Sequence, residues 1–239
     1  MSDSREKKKI VFSTGAGVSA ESGLSTFRDA GGLWEQYPVM QVASAEGFAA
    51  DPALVHKFYN ARRRDLVSKE PNEAHRLIAD LQRDFDVRVI TQNVDDLHER
   101  AGSREVLHLH GELMKLRDVA DPGYIETLSA PDLESSPDTL SRDGKGRHMR
   151  PHIVFFGEAV PNIELAMELV EQADVFVVIG TSLNVYPAAG LLAYVRSGVP
   201  VYYIDPSPAD VKGLRDVTVI RKKATEGMAE LAAILRNNQ

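Results

Sequence analysis

Short apolar runs bounded by turn residues recur along the chain at 10–14, 87–91, 106–109, 152–156, 175–180, 199–204 and 217–220. Several are rich in Val and Ile and nearly continuous, which is the pattern of strands buried on both faces. Between them lie stretches with apolar positions at helical spacing, covering 51–66, 72–85, 162–173, 186–198 and 224–238. Asp51 followed by Pro52 reads as an N-cap with proline at the first helical position, and Gly198 closes the fourth stretch. Strands alternating with helices predict an α/β fold with a parallel sheet covered on both faces.

Two stretches break this rhythm. Residues 25–71 separate the first strand from the next and contain Trp34 and Tyr37, while 112–150 are rich in Asp, Ser, Pro and Gly and poor in strand signal. Both read as insertions that pack together, giving a large lobe from 9–24, 72–111 and 151–239 and a small lobe from 25–71 and 112–150. A cleft between two lobes is a usual place for a ligand.

The bulk numbers narrow the partners. A chain of 239 residues, 43% hydrophobic, suits one domain with insertions, and a net charge of −7 argues against a nucleic-acid or anionic-membrane surface. No apolar run reaches the length of a membrane span, and the start MSDSREKKKI lacks the apolar region of a secretory signal, so a cytoplasmic protein is expected. The absence of cysteine excludes disulfides, thiolate zinc sites and a cysteine nucleophile.

Four clusters carry candidate chemistry. The first strand runs into Gly15-Ala16-Gly17, where bare backbone N–H groups and a following helix suit a diphosphate or form an ordinary strand-to-helix turn. Ala20 stands where a third glycine would be, and a second polar loop follows from Ser25 to Asp29. After the strand 87–91, "TQNVDDLH" places Gln92, Asn93 and Asp95 at a strand end, where amides and a carboxylate can hold a carboxamide or ribose hydroxyls, or simply cap a helix. In "LHLHGE", His108 and His110 share one strand face, and His110 stands before a glycine, with a side chain suited to general-base work near neutral pH. Gly180, Thr181 and Ser182 suit a phosphate or ribose, and Asp205 in "YIDPS" suits ribose hydroxyls.

Taken together, GAGVSAESGLSTFR, TQNVDDLH, LHLHGE, FFGE and GTSLNVYPAAG resemble the sirtuin family of NAD-dependent protein-lysine deacylases over roughly residues 9–237. The resemblance implies a Rossmann-like large lobe, a small lobe made of two insertions, and NAD cleaved between them. It also explains the second polar loop, which in the family folds over the cofactor. Carried over residue by residue, it places Gly15, Ala16, Gly17, Ser19, Ala20, Glu21, Thr26, Phe27, Arg28 and Trp34 around NAD. Phe27 would shield the nicotinamide–ribose region and Arg28 would order the loop against the phosphates. Gln92, Asn93, Val94 and Asp95 follow, with Asn93 and Asp95 on the nicotinamide carboxamide, and Gly180, Thr181, Ser182, Tyr203, Ile204, Asp205 and Ala224 complete the site. The catalytic set is then His110, Asn93 and Asp95: the acyl-lysine oxygen attacks ribose C1′, an alkylimidate forms, and His110 activates a ribose hydroxyl against it. The products implied are nicotinamide, O-acyl-ADP-ribose and free lysine. Acylated proteins or peptides would bind by strand addition between Val154, Phe156, Gly157 and Glu158 on one side and Leu183 and Val185 on the other.

Tyr59 and Arg62 lie three apart on one helix face and resemble the pair of the desuccinylase-type branch, which takes acidic acyl groups such as succinyl and malonyl besides acetyl. The chain departs from the family at 112–150, where most members hold zinc on four cysteines. No metal is expected here; Leu113, Leu116, Tyr124, Ile125, Leu128 and Met149 are expected to form a mini-core in its place, or the polar run 135–147 to be mobile. Rival readings are a nicotinamide oxidoreductase, a protein ADP-ribosyltransferase, and a non-catalytic module that binds ADP-ribose or acyl-lysine.

Overall fold

The computed structural model describes residues 7–26, 37–183, 186–207 and 217–238. Three strands, β1 (Lys9–Thr14), β2 (Asp86–Thr91) and β3 (Val106–His108), precede a second sheet made by β4 (Gly111–Asp118), β5 (Ile125–Thr127) and β6 (Met149–Ile153). The chain then returns with β7 (Val175–Ile179), β8 (Val201–Ile204) and β9 (Val217–Ile220). The first sheet has the order β3-β2-β1-β7-β8-β9, with every neighbour parallel. This is the Rossmann-like arrangement, and its strand order reverses between β1 and β7, where such sheets open a crevice at their carboxyl ends.

Successive residues of β1 show why the strands read as continuous apolar runs. Phe12 packs with Ile78 of the helix Glu73–Asp80 and with Met228 and Leu231 of the helix Ala224–Asn237. Val11 points to the opposite face, among Val170 of the helix Ile163–Glu171, Phe176 and Leu191. Both faces are therefore dry, and no polar alternation survives.

The helix Pro52–Leu66 forms as its sequence predicts. Asp51 accepts the Leu54 N–H at 2.9 Å, and Val55, Phe58, Tyr59 and Leu66 bury one stripe. Three elements differ from expectation. The apolar run at 152–156 does not extend the parallel series: the strand is Met149–Ile153, antiparallel to β4. Residues 112–150 hold most of β4 and all of β5, hidden in the sequence because the β4–β6 register shifts between Gly111 and Leu116. That irregularity buries both Leu113 and Leu116 and destroys the alternation of two. The stretch 186–198 forms a 3-10 segment, Ala188–Tyr194, which buries Ala188 and Leu191 at a spacing of three.

The cysteine-free stretch combines a small apolar cluster with a charge cluster. Its apolar cluster is only Leu116, Leu128 and Met149 with Tyr124 against them; Leu113 joins the neighbouring helical core and Ile125 is 43% exposed. Arg147 lies 4.6 Å from the Tyr124 ring centroid and reaches Asp118 at 2.8 Å, Asp143 at 3.4 Å and Asp121 at 3.6 Å. The polar run is also tied at its start, where buried Ser135 bonds His56, Asn60 and Arg63. Among the described residues no group of three or more His, Asp or Glu side chains is placed to hold a metal. We expect Arg147→Met to lower the melting temperature by several degrees, and chelator to leave the unaltered protein's melting curve where it was. A stoichiometric zinc content in purified protein would contradict this account.

Candidate active site

The crevice at the β1/β7 reversal opens into a cleft of 830 Å³. Its floor is built by two turns in close contact. A Cβ on Gly15 would sit 2.7 Å from Gly180 O, and one on Gly17 would sit 2.6 Å from Gly180 Cα. Gly180 itself adopts φ +62°, a conformation that favours glycine. The N–H groups of Gly15 and Gly17 donate to Ile179 O and Gly180 O at 3.0 and 2.9 Å. The glycines therefore line the cleft and permit this packing, but their N–H groups are not left for a diphosphate, as the sequence alone suggested.

Behind the floor lies a buried polar network that fixes Asn93. Its amide nitrogen donates to Gly15 O and to Ser19 Oγ, both at 3.1 Å, and Ser19 Oγ–H in turn donates to Asp95 Oδ2 at 3.0 Å. The Asn93 backbone N–H donates to Thr91 Oγ1 at 3.0 Å. Ser19 and Asp95 thus sit behind the wall rather than on it, and they orient Asn93. Burial pushes the Asp95 carboxyl above its usual range, against the Leu97 N–H and Ser19 hydrogen bonds.

The two histidines of LHLHGE reach consecutive carbonyls, but their proton affinities are shifted in opposite directions. His108 Nδ1 donates to Asn93 O at 2.9 Å and His110 Nδ1 donates to Gln92 O at 3.0 Å. Burial would lower His108, yet its hydrogen bond to Glu99 at 2.8 Å and the Glu99 charge raise it. Burial lowers His110, offset only in part by the Gln92 carbonyl. With Nδ1 carrying the hydrogen, a neutral His110 keeps its lone pair on Nε2, in a side chain that lines the cleft.

Of the other expected residues, Ala16, Ala20, Thr26, Gln92, Val94, Thr181, Ser182 and Ile204 line this cleft. So do Tyr203, whose hydroxyl donates to Thr181 O at 2.9 Å, and Asp205, which accepts the Ser207 N–H at 2.8 Å. Glu21 and Ala224 meet at one end, where Glu21 accepts from both the N–H and the hydroxyl of Thr225 at 2.9 Å and so caps the last helix. At the other end stand Tyr59, Arg62, Val154, Phe156, Gly157 and Glu158. The Arg62 guanidinium lies 5.7 Å from the ring centroids of both Phe58 and Tyr59. Burial pushes the Tyr59 phenol up to about 12, against the nearby guanidiniums, so it stays a hydrogen-bond donor. Leu183 is not brought into the wall: at φ +57° it packs on the core beside β7 and its N–H donates to Thr181 Oγ1 at 3.3 Å. Phe27, Arg28, Trp34 and Val185 lie outside the described residues. Sequence reasoning missed Ala43, Val160 and Lys223, which line the cleft outside any motif, and Tyr186, which lines it from within GTSLNVYPAAG.

Comparison with known proteins agrees with this geometry. The Sir2 family model matches residues 15–187. An NAD-dependent protein deacylase of Bacteroides thetaiotaomicron is 57% identical over 231 residues, covering 95% of this chain and 98% of that protein. A solved Sir2 homologue–NAD complex is 40% identical with a TM-score of 0.83, covering 98% of this chain and 91% of the other. A Sir2 homologue variant in complex with ADP-ribose superposes with a TM-score of 0.86 at 42% identity, covering 98% and 94%. With the sheet order, the cleft and the motifs in agreement, the chain belongs to the Sir2 family.

Proposed function

We propose that this cleft removes acyl groups from protein lysine side chains at the expense of NAD, and that succinyl and malonyl groups are accepted along with acetyl. The observation that carries the reading is His110, neutral, with its Nδ1–H fixed on the Gln92 carbonyl and its Nε2 left as the basic nitrogen of a cleft-lining side chain. The donor set fits NAD: Thr181 and Ser182 for phosphate or ribose, Asp205 and Ala224 toward the adenosine, and Asn93 for the carboxamide. A cleft of 830 Å³ also falls within the roughly 300–1,000 Å³ usual for such ligands. Bound NAD supplies an activated ribose carbon and takes away the acyl group as nicotinamide is released.

The chain's own residues bind, orient and move one proton. Asn93 cannot turn freely, because Gly15 O and Ser19 Oγ hold its amide from behind, with Ser19 itself held by Asp95. His110 takes the ribose hydroxyl proton on Nε2, a general-base role worth roughly 10²–10⁴-fold in rate. The loop Val154–Glu158 supports an extended peptide by strand addition, with Gly157 at φ +89° and nothing within 4 Å of its Cβ position. Arg62 and the Tyr59 hydroxyl offer a fork and a donor to a carboxylate at the end of the acyl chain.

Two measurements test this. A base must be neutral to act, and burial depresses His110, so activity should hold as pH falls through 6.5 and be lost only below it. The acid limb of kcat/KM on an acyl peptide reads this directly; a midpoint at or above 6.5 would contradict the depression by burial, and an acid limb unchanged in His110→Ala would remove His110 as the base. Arg62→Met should cut kcat/KM on a succinyl peptide by roughly ten- to a hundredfold more than on an acetyl peptide, the value of one charge-assisted bond. Equal losses on both would remove Arg62 as the selector.

A further inference from the structure

Glu158 was expected to touch substrate, but its carboxylate is already engaged. Arg150 Nη1 donates to its Oε1 at 2.8 Å, and Arg150 Nη2 donates to its Oε2 at 2.9 Å. Arg117 Nη2 donates to Oε2 at 2.8 Å, and the Phe155 N–H donates to the same oxygen at 2.9 Å. Arg117 comes from β4 and Arg150 from β6, and both guanidinium side chains are only 9% exposed. Arg150 also donates to Ile153 O at 2.9 Å and stacks 4.1 Å from the Phe155 ring centroid.

The backbone N–H groups of this loop are bonded within the protein as well. Val154 N–H donates to His110 O at 3.0 Å, Phe156 N–H to Ala43 O at 2.8 Å, and Glu158 N–H to Phe155 O at 3.0 Å. A parallel bridge between Ser44 and Phe156 adds to this. Burial alone would raise the Glu158 carboxyl, yet the Arg150 and Phe155 hydrogen bonds and the two guanidinium charges hold it below the usual carboxylate value. The triad therefore stays charged at neutral pH. Removing its single carboxylate would leave two buried cations facing each other.

We propose that Glu158 is a positioning residue: clamped between Arg117 and Arg150, it sets the backbone of Val154–Gly157 against the cleft, so that an ion triad rooted in the antiparallel sheet governs affinity for the acyl-lysine peptide. This rests on the deacylase reading above. It also makes the antiparallel sheet part of the substrate site, since β4 and β6 each contribute one of the two guanidiniums.

The test uses Glu158→Gln and the milder Arg117→Gln, which keeps the Arg150 pair. In Glu158→Gln the amides of Phe155 and Phe156 should exchange with deuterium roughly tenfold faster or more, as loss of a charge-assisted bond implies, while those of β2 are unchanged. The KM for an acetyl-lysine peptide should rise by a similar factor in both variants, with kcat at saturating peptide and the KM for NAD within about twofold of the unaltered enzyme. If Glu158→Gln does not fold, Arg117→Gln carries both readouts. Unchanged exchange at 155–156 overturns the positioning role. Faster exchange with an unchanged peptide KM, or a parallel fall in kcat and NAD affinity, overturns the link to substrate. An unaltered enzyme that turns over no acyl peptide contradicts the deacylase reading instead, and leaves the exchange result to judge the triad.

Discussion

The site depends on one steric constraint, the contact between the turn after β1 and the turn after β7. Added Cβ atoms at Gly15 or Gly17 would come within 2.7 Å or less of Gly180, closer than packed atoms tolerate. Because the two turns touch, the Gly15 carbonyl lies where it can accept from the Asn93 amide, and Asn93 is in turn locked to Ser19 and Asp95. The cleft floor is therefore a rigid continuation of the sheet. Preorganisation of this kind is what positional catalysis requires.

The histidine pair shows how the same floor sets chemistry. His108 and His110 lie two residues apart and use the same ring nitrogen on neighbouring carbonyls. What separates them is the second ring nitrogen. Glu99 stands at Nε2 of His108 and raises its affinity for a proton, whereas burial lowers that of His110. His108 braces the helix Leu97–Arg100 to β3 through Glu99, and His110 is held toward its neutral form in the cleft wall. Environments that push neighbouring titrations apart are a familiar way to assign roles at an active site.

Much of the fold was legible because the central strands are buried on both faces, which writes them as apolar runs, and because Asp51-Pro52 marks a helix start. The second sheet was not legible. Its strand β4 changes register, so Leu113 and Leu116 are both buried without alternating, and its apolar cluster is small and sits beside Arg147 among aspartates. Asn93, His110 and Arg62, which the sequence singled out, do line the cleft. Motifs do not say which neighbours a side chain meets. Ser19 and Asp95 sit in motifs yet lie behind the cleft wall, and the Glu158 carboxylate is held by Arg150, eight residues away, and by Arg117, 41 residues away. Leu183 stands in a motif, but a positive φ turns it to the core.

Charge clusters occur twice in this chain, once around Arg147 in the stretch that has no cysteine and once around Glu158 at the cleft. The activity proposed for the cleft is a single event, transfer of an acyl group from lysine to the ribose of NAD. Mass spectrometry of a reaction containing acetylated peptide and NAD reads that event most directly. Equal amounts of deacylated peptide, free nicotinamide and ADP-ribose heavier by one acyl group are expected. Deacylated peptide with intact NAD and free acid, or peptide heavier by ADP-ribose, would contradict it.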